Sequence, residues 1–261
     1  MRRPPLLLSG LAALLAACSA TAASRQPPGP PPVVSPSPPV VSPSPPEATV
    51  APSPTASPAP LQPSPTPAAP APATFTASVS PVTAGALGAS WHTGCPVPPS
   101  ALSQITMGYW GFDNRPHVGE LVVASAVVSS VETVFRTLFN EHFPIYQMEP
   151  ISLYGGSDPA STAADNTSGF NCRYAVAPGP PQWSEHAYGL AIDVNTVQNP
   201  YIEGGQVLPP NGAPYVNRAD VRPGMAVPGG QLLAAFTSIG WGWGGNWAAT
   251  PDYQHFSLNG R

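Results

Sequence analysis

Ser184-Glu185-His186-Ala187-Tyr188-Gly189-Leu190-Ala191-Ile192-Asp193 is the stretch from which this chain is read, and Asp252-Tyr253-Gln254-His255-Phe256 answers it further along. Residues 191–195 alternate, so Ile192 and Val194 are predicted to face a core while Asp193 faces the other way. Gln254 to Leu258 follows the same rule, with Phe256 and Leu258 on one side and His255 and Ser257 on the other. Two such strands make a sheet whose aliphatic back supports a polar face, the support a rigid site needs. His186 lies seven positions before Asp193, an odd separation that an unbroken strand would place on opposite faces. Gly189 between them supplies the turn or bulge that turns both side chains to one point.

The residues on that face carry a specific chemistry. His186, Asp193 and His255 offer two imidazoles and one carboxylate to a metal. A hydrolytic zinc centre wants three protein ligands and one position left open for water. A lone His-x6-Asp pair is a weak signal, and its weight comes from His255 with Asp252 three residues before it. Asp252 is read as a general base outside the ligand set; a turn or cap residue is the alternative. Arg173 precedes the motif. Its guanidinium suits a carboxylate or a developing oxyanion, and a surface ion pair is the plainer alternative.

The surrounding pattern predicts an α+β domain with a small, mainly antiparallel sheet and helices packed to one side. Val127, Val131, Val134, Phe135, Leu138 and Phe139 fall at helical spacing and predict a helix over about 124–140. A second helix is expected over 231–239, stopped by Gly240. Residues 154–170 and 200–230, rich in Gly, Pro and Asn, are read as loops. Trp183, Tyr188, Trp241 and Trp243 are read as core or cleft wall, with Trp243 and Ser184 assigned to the substrate groove. His117 and Glu120 are read as framework, and His92 and His142 receive no role.

Composition divides the 261 residues into three parts. Residues 1–18 have the layout of an export signal: Arg2 and Arg3, then an apolar run too short to cross a bilayer. Leu15-Ala16-Ala17-Cys18 resembles a bacterial lipobox, with Cys18 lipidated; cleavage near Ala20-Thr21-Ala22 would instead release a secreted protein. Residues 19–76 are dominated by Pro, Ser, Ala, Thr and Val and hold nothing large to bury. They are read as a spacer, at ~3.1 Å per residue in polyproline II, rather than as a docking ligand for an aromatic groove. Residues 77–261 form the domain. The chain has no lysine, and the formal net charge is −4, which gives nucleic acid and anionic membranes no basic patch to meet. Cys95 and Cys172 are read as one disulfide, with zinc ligation as the weaker alternative.

The motif Ser-x-His-x-x-Gly-x-Ala-x-Asp followed by Asp-x-x-His resembles the zinc D-alanyl-D-alanine carboxypeptidases and the related L-alanyl-D-glutamate endopeptidases. Tyr109 to Asp113, His117 to Val122, Phe143 to Ile145, Asn166 to Arg173 and Gly240 to Gly245 extend the resemblance. It implies a Hedgehog/DD-peptidase-like fold, Zn²⁺ on His186, Asp193 and His255, Asp252 as general base, and Arg173 on the substrate. Many relatives carry Glu where this chain has Asp252. The function implied is hydrolysis of peptidoglycan stem peptides; the N-terminal reading adds a location outside the cytoplasm with membrane attachment through the lipid alone, and a monomer is expected. Two rivals are a wall-binding module without activity and a lipoprotein whose metal only stabilises the fold.

Overall fold

Two nine-residue strands dominate the computed structural model, which describes residues 73–176 and 180–261. The export signal, Cys18 and residues 19–72 of the spacer lie outside the described residues. Phe75, two residues before the first strand, is already buried with its ring edge-on to Phe139.

Strand β1 (Ala77–Pro81) and helix α1 (Ala84–Leu87) lead into β2 (Leu102–Trp110) and β3 (Pro116–Ala124). These strands form an antiparallel sheet in the order β1-β2-β3. Helix α2 (Val128–Asn140) packs on β2 through the stripe Val131, Val134, Phe135, Leu138 and Phe139. It starts later than expected because Ser125–Val127 forms a 3-10 turn. The short pair β4 (Gln147–Met148) and β5 (Asn166–Thr167) is parallel, with helix α3 (Asp158–Ala163) between them.

Strand β6 (Ala191–Asp193) is followed by the hairpin β7 (Tyr201–Glu203) and β8 (Gln206–Leu208), then helix α4 (Gln231–Ser238), β9 (Gly242–Trp243) and β10 (His255–Ser257). A second antiparallel sheet has the order β6-β10-β9. Gly240, at φ 80°, stops α4 as expected. Its N–H donates to Thr237 and that of Trp241 to Phe236, so orphan carbonyls of the last turn are satisfied while the Trp241 ring packs on Phe236.

The α+β class and the small antiparallel sheets agree with the sequence, but several details differ. Among the described residues there are two three-stranded sheets and two short pairs rather than one small sheet. Residues 154–170 contain α3, capped by the Ser157 hydroxyl, and residues 200–230 contain β7 and β8. The second of these stretches is fixed by a buried network: Asn199 binds the Gly224 carbonyl and the Ala226 N–H, while Arg218 donates to Asn199 and to the Gln198 carbonyl. Leu258 does not share the inward face of Phe256. The strand ends at Ser257, the Leu258 N–H turns to the Leu190 carbonyl, and the side chain is 47% exposed.

The larger of two apolar clusters among the described residues joins the layers. Ile105, Met107, Leu121 and Val123 from the first sheet meet α2 and α4, and Ile192, Val194, Phe256 and Trp243 close it from the second. Phe256 stacks on Phe236 at 4.2 Å between ring centroids. The inward face of β6 and β10 is therefore held by packing, and their other face is free to carry polar groups.

Candidate metal centre

Register brings the site together. In the β6–β10 ladder Asp193 stands directly opposite His255, and Ile192 opposite Phe256. Directly opposed residues share a face of an antiparallel pair, so the core contact of Ile192 and Phe256 forces Asp193 and His255 onto the other side together. A slip of one residue would exchange the two sets.

His186 arrives from a single turn, Glu185–Tyr188, immediately before β6. Ser184 caps this turn, its hydroxyl accepting the His186 N–H at 3.3 Å. Gly189 closes it at φ 70°, with the N–H groups of Gly189 and Leu190 on the carbonyls of His186 and Glu185. A side chain at Gly189 would lie 2.5 Å from the Ala124 nitrogen, and the Gly189 carbonyl accepts that N–H at 2.9 Å. Only glycine allows both the left-handed turn and this seat against β3. The turn does what the odd His186–Asp193 spacing required.

His186 Nε2 lies 3.2 Å from His255 Nδ1 and 3.2 Å from Asp193 Oδ2, and His255 Nδ1 lies 3.2 Å from Asp193 Oδ1. All three residues are buried. His186 Nδ1 donates to the Gly169 carbonyl at 2.7 Å, and His255 Nε2 donates to the main-chain oxygen of Arg261 at 2.8 Å. With those protons placed, the two nitrogens that face each other are both lone pairs in the neutral rings. Two acceptors beside a buried carboxylate favour a cation among them, whether a proton or a metal ion. Donors about 2.0–2.2 Å from a tetrahedral zinc would stand about 3.3–3.5 Å apart, close to the separations seen. The residues fit a zinc-type ion, and the carbonyls behind each imidazole are the orienting partners that metal-binding histidines use.

The charges agree. Burial pushes the Asp193 carboxyl up, but His186 and His255 outweigh it and hold the group far below the usual carboxylate range. Burial likewise opposes charge on His186, and the Asp193 carboxylate overcomes that and raises the imidazole.

Asp252 sits beside the triad without joining it. Its N–H is held by the Gly244 carbonyl, and a side chain at Gly244 would crowd Asp252 and His255. The residue is partly exposed, yet its Oδ1 is shut off from solvent and has no hydrogen-bond partner among the described residues. Burial first, and then the Asp193 charge, pushes this carboxyl up to about 7. A carboxyl poised near neutrality can take and return a proton.

Arg173 reaches the same cleft because residues 171–173 run beside the capping turn. The Asn171 N–H donates to the His186 carbonyl, and the Ser184 N–H donates to the Arg173 carbonyl. The Arg173 guanidinium meets Asp158 of α3 at 3.0 Å. A disulfide joins Cys172 to Cys95 and pins the segment to the start of the domain. A cleft of about 240 Å³ is lined by Arg173, Ser184, Asp252 and His255 among others.

Trp243 is corrected: it is not in the groove. It is 4% exposed, stacks on Phe256 in the core and donates its indole N–H to the Tyr253 carbonyl. Trp183 and Trp247 line the cleft instead, Trp183 stacked on Tyr174 and Trp247 lying 5.3 Å from the His255 ring. Asp158, Trp247 and the Gly169 and Arg261 carbonyls escaped sequence reasoning. Main-chain acceptors leave no residue-type signal, and Trp247 follows the 3-10 turn Gly244–Asn246, which nothing in the residue types announces. His117 pairs with exposed Asp113 and His142 stacks on Trp110, both away from the cleft.

Residues 178–258 match the family model of D-alanyl-D-alanine carboxypeptidases. The resemblance read from the sequence therefore holds over the segment carrying His186, Asp193, Asp252 and His255. Arg173 and the first sheet lie outside the carboxypeptidase match. No curated protein and no solved structure matches the chain.

Proposed function

We propose that the domain is a zinc-dependent peptidase that hydrolyses peptide stems of bacterial peptidoglycan, as a D-Ala-D-Ala carboxypeptidase or an L-Ala-D-Glu-type endopeptidase. The observation that carries this reading is the convergence of two lone-pair imidazole nitrogens and one carboxylate, with the uncoordinated carboxyl of Asp252 beside them. Among the described residues the group has three donors, one fewer than the four that close a structural zinc site.

His186, Asp193 and His255 would hold the ion, which when bound supplies a Lewis acid and lowers the pKa of water toward neutrality. The protein's own groups do the rest. Asp252 accepts a proton from the attacking water and passes it to the leaving amine. Arg173 presents a fixed cation to a substrate carboxylate or to the developing oxyanion. Trp183 and Trp247 supply flat apolar walls against which a peptide or sugar can lie.

Its setting is proposed from residues 1–76: export, a lipid on Cys18 as the sole membrane attachment, and a Pro-rich arm that lets a monomeric domain search the wall. Among the described residues no helix is long and apolar enough to cross a membrane. Mass spectrometry of defined muropeptides, with metal-free protein and with zinc restored, tests the proposal. Loss of one D-alanine or cleavage after L-alanine only with zinc is the result expected. Unchanged masses with one zinc per chain would refute catalysis and leave a binding module.

A further inference from the structure

The two imidazoles of the triad are oriented by main-chain oxygens from different segments. His186 leans on Gly169, in a segment tied to β3 and to the capping turn. His255 leans on Arg261, in the short stretch that follows β10 and folds back over it. The main-chain oxygen of Arg261 accepts from His255 Nε2 at 2.8 Å and from the Ser257 hydroxyl at 2.7 Å. That stretch is itself tied down. The Arg261 N–H donates to Asn259 Oδ1 at 3.0 Å, and Asn259 Nδ2 donates to Glu185 Oε1 at 2.8 Å. Trp247 Nε1 donates to the Gly260 carbonyl at 2.9 Å. A side chain on Gly242 would lie 2.5 Å from the Gly260 Cα, so these two glycines let the returning chain press onto β9.

His255 turns Nδ1 to the centre, which requires the proton on Nε2. A fixed acceptor at Nε2 selects that tautomer and stops the ring from rotating. Glu185 adds a second consequence, because it belongs to the turn that carries His186. The link Glu185–Asn259–Arg261–His255 thus ties the carriers of both imidazoles together outside the coordination sphere.

We infer that Asn259–Arg261 is a positioning clamp for the metal ligand His255, latched to the His186 turn through Glu185, and that the affinity for the ion depends on it. This rests on the reading of His186, Asp193 and His255 as a metal centre, and not on the bond that is cleaved.

The test compares full-length protein with a deletion of residues 259–261, with Asn259→Ala and with Glu185→Ala. Zinc affinity is measured by competition with a chromophoric chelator. The visible absorption of the cobalt(II) forms reports ligand geometry, and thermal melting of the metal-free forms reports folding. The deletion is expected to weaken zinc binding about 10- to 100-fold, the usual cost of losing an orienting partner, and to shift the cobalt bands. Asn259→Ala and Glu185→Ala should act in the same direction and more weakly, with metal-free melting unchanged. If the deletion does not fold, the two point variants decide. Unchanged affinity and cobalt spectra in both point variants overturn the clamp. Wild-type protein that binds no zinc overturns the clamp and the metal centre together. Wild-type protein that binds zinc but leaves muropeptides intact overturns only the peptidase reading, and the affinities still judge the clamp.

Discussion

Among the described residues two clusters bring three metal-ligating side chains within reach of one another: His186, Asp193 and His255, and His92, Cys95 and Cys172. In the first, all three residues are buried, each ring has its second nitrogen fixed by a main-chain oxygen, and the donor atoms face inward. In the second, the two sulfurs are bonded to each other, His92 is exposed, and its Nδ1 turns to the neighbouring Thr93 carbonyl. The difference teaches that proximity of donors is common, whereas donors with their lone pairs free and their backs held are what make a site. The first cluster is held by strand register and packing, the second by a covalent bond whose role is to fasten residues 171–173.

That contrast can be broken by experiment. The largest effect is expected at the buried triad: His186→Ala and His255→Ala should each abolish stoichiometric zinc and measurable turnover, while His92→Ala keeps both. Metal analysis beside a muropeptide assay reads the outcome. Asp252→Ala should keep one zinc per chain and lower kcat by about 10²–10⁴-fold, the range for a lost general base; steady-state kinetics on the zinc-loaded variant checks this.

Replacing both Cys95 and Cys172 by Ser should leave zinc stoichiometry unchanged and cost about 2–5 kcal/mol of stability, measured by denaturant unfolding. The last effect concerns pH. In the metal-free protein Asp252 binds its proton more tightly when folded than when unfolded, because its carboxyl is raised from 3.8 to about 7. Its contribution is therefore full below the unfolded value and is lost as pH rises through that window. Asp252→Asn should flatten the fall in stability between those values, as followed by thermal melting across pH.

How much of this was legible depends on how far local pattern and tertiary demand agree. Helices α2 and α4 could be read because their apolar stripes repeat at helical spacing and Gly240 marks a stop. Strands β6 and β10 could be read because Ile192 and Phe256 alternate with ligands. The longer strands β2 and β3 were hidden. Leu102, Ser103, Met107, Gly108 and Tyr109 are buried on both faces, which blurs a two-residue period, and β3 opens with Pro116 and contains Gly119. Helix α3 has six residues, too few for propensity to show. The β7–β8 hairpin did carry a signal, since Gly204-Gly205 between Ile202 and Val207 is a turn pair that hairpins favour.

At the site, ligand types and spacing were visible in the chain, but their supports were not. Trp243 and Trp247 differ in role by four positions, and what separates them is that Trp243 lies in β9 against Phe256. Nothing in the letters marks the Gly169 and Arg261 oxygens, which act through the main chain.

The most direct test of the metal centre is X-ray absorption at the zinc edge of the loaded full-length protein. Nitrogen and oxygen scatterers near 2.0–2.2 Å with the outer-shell pattern of two imidazoles are expected for the buried triad. A sulfur shell near 2.3 Å would place the ion at His92, Cys95 and Cys172 and contradict the account.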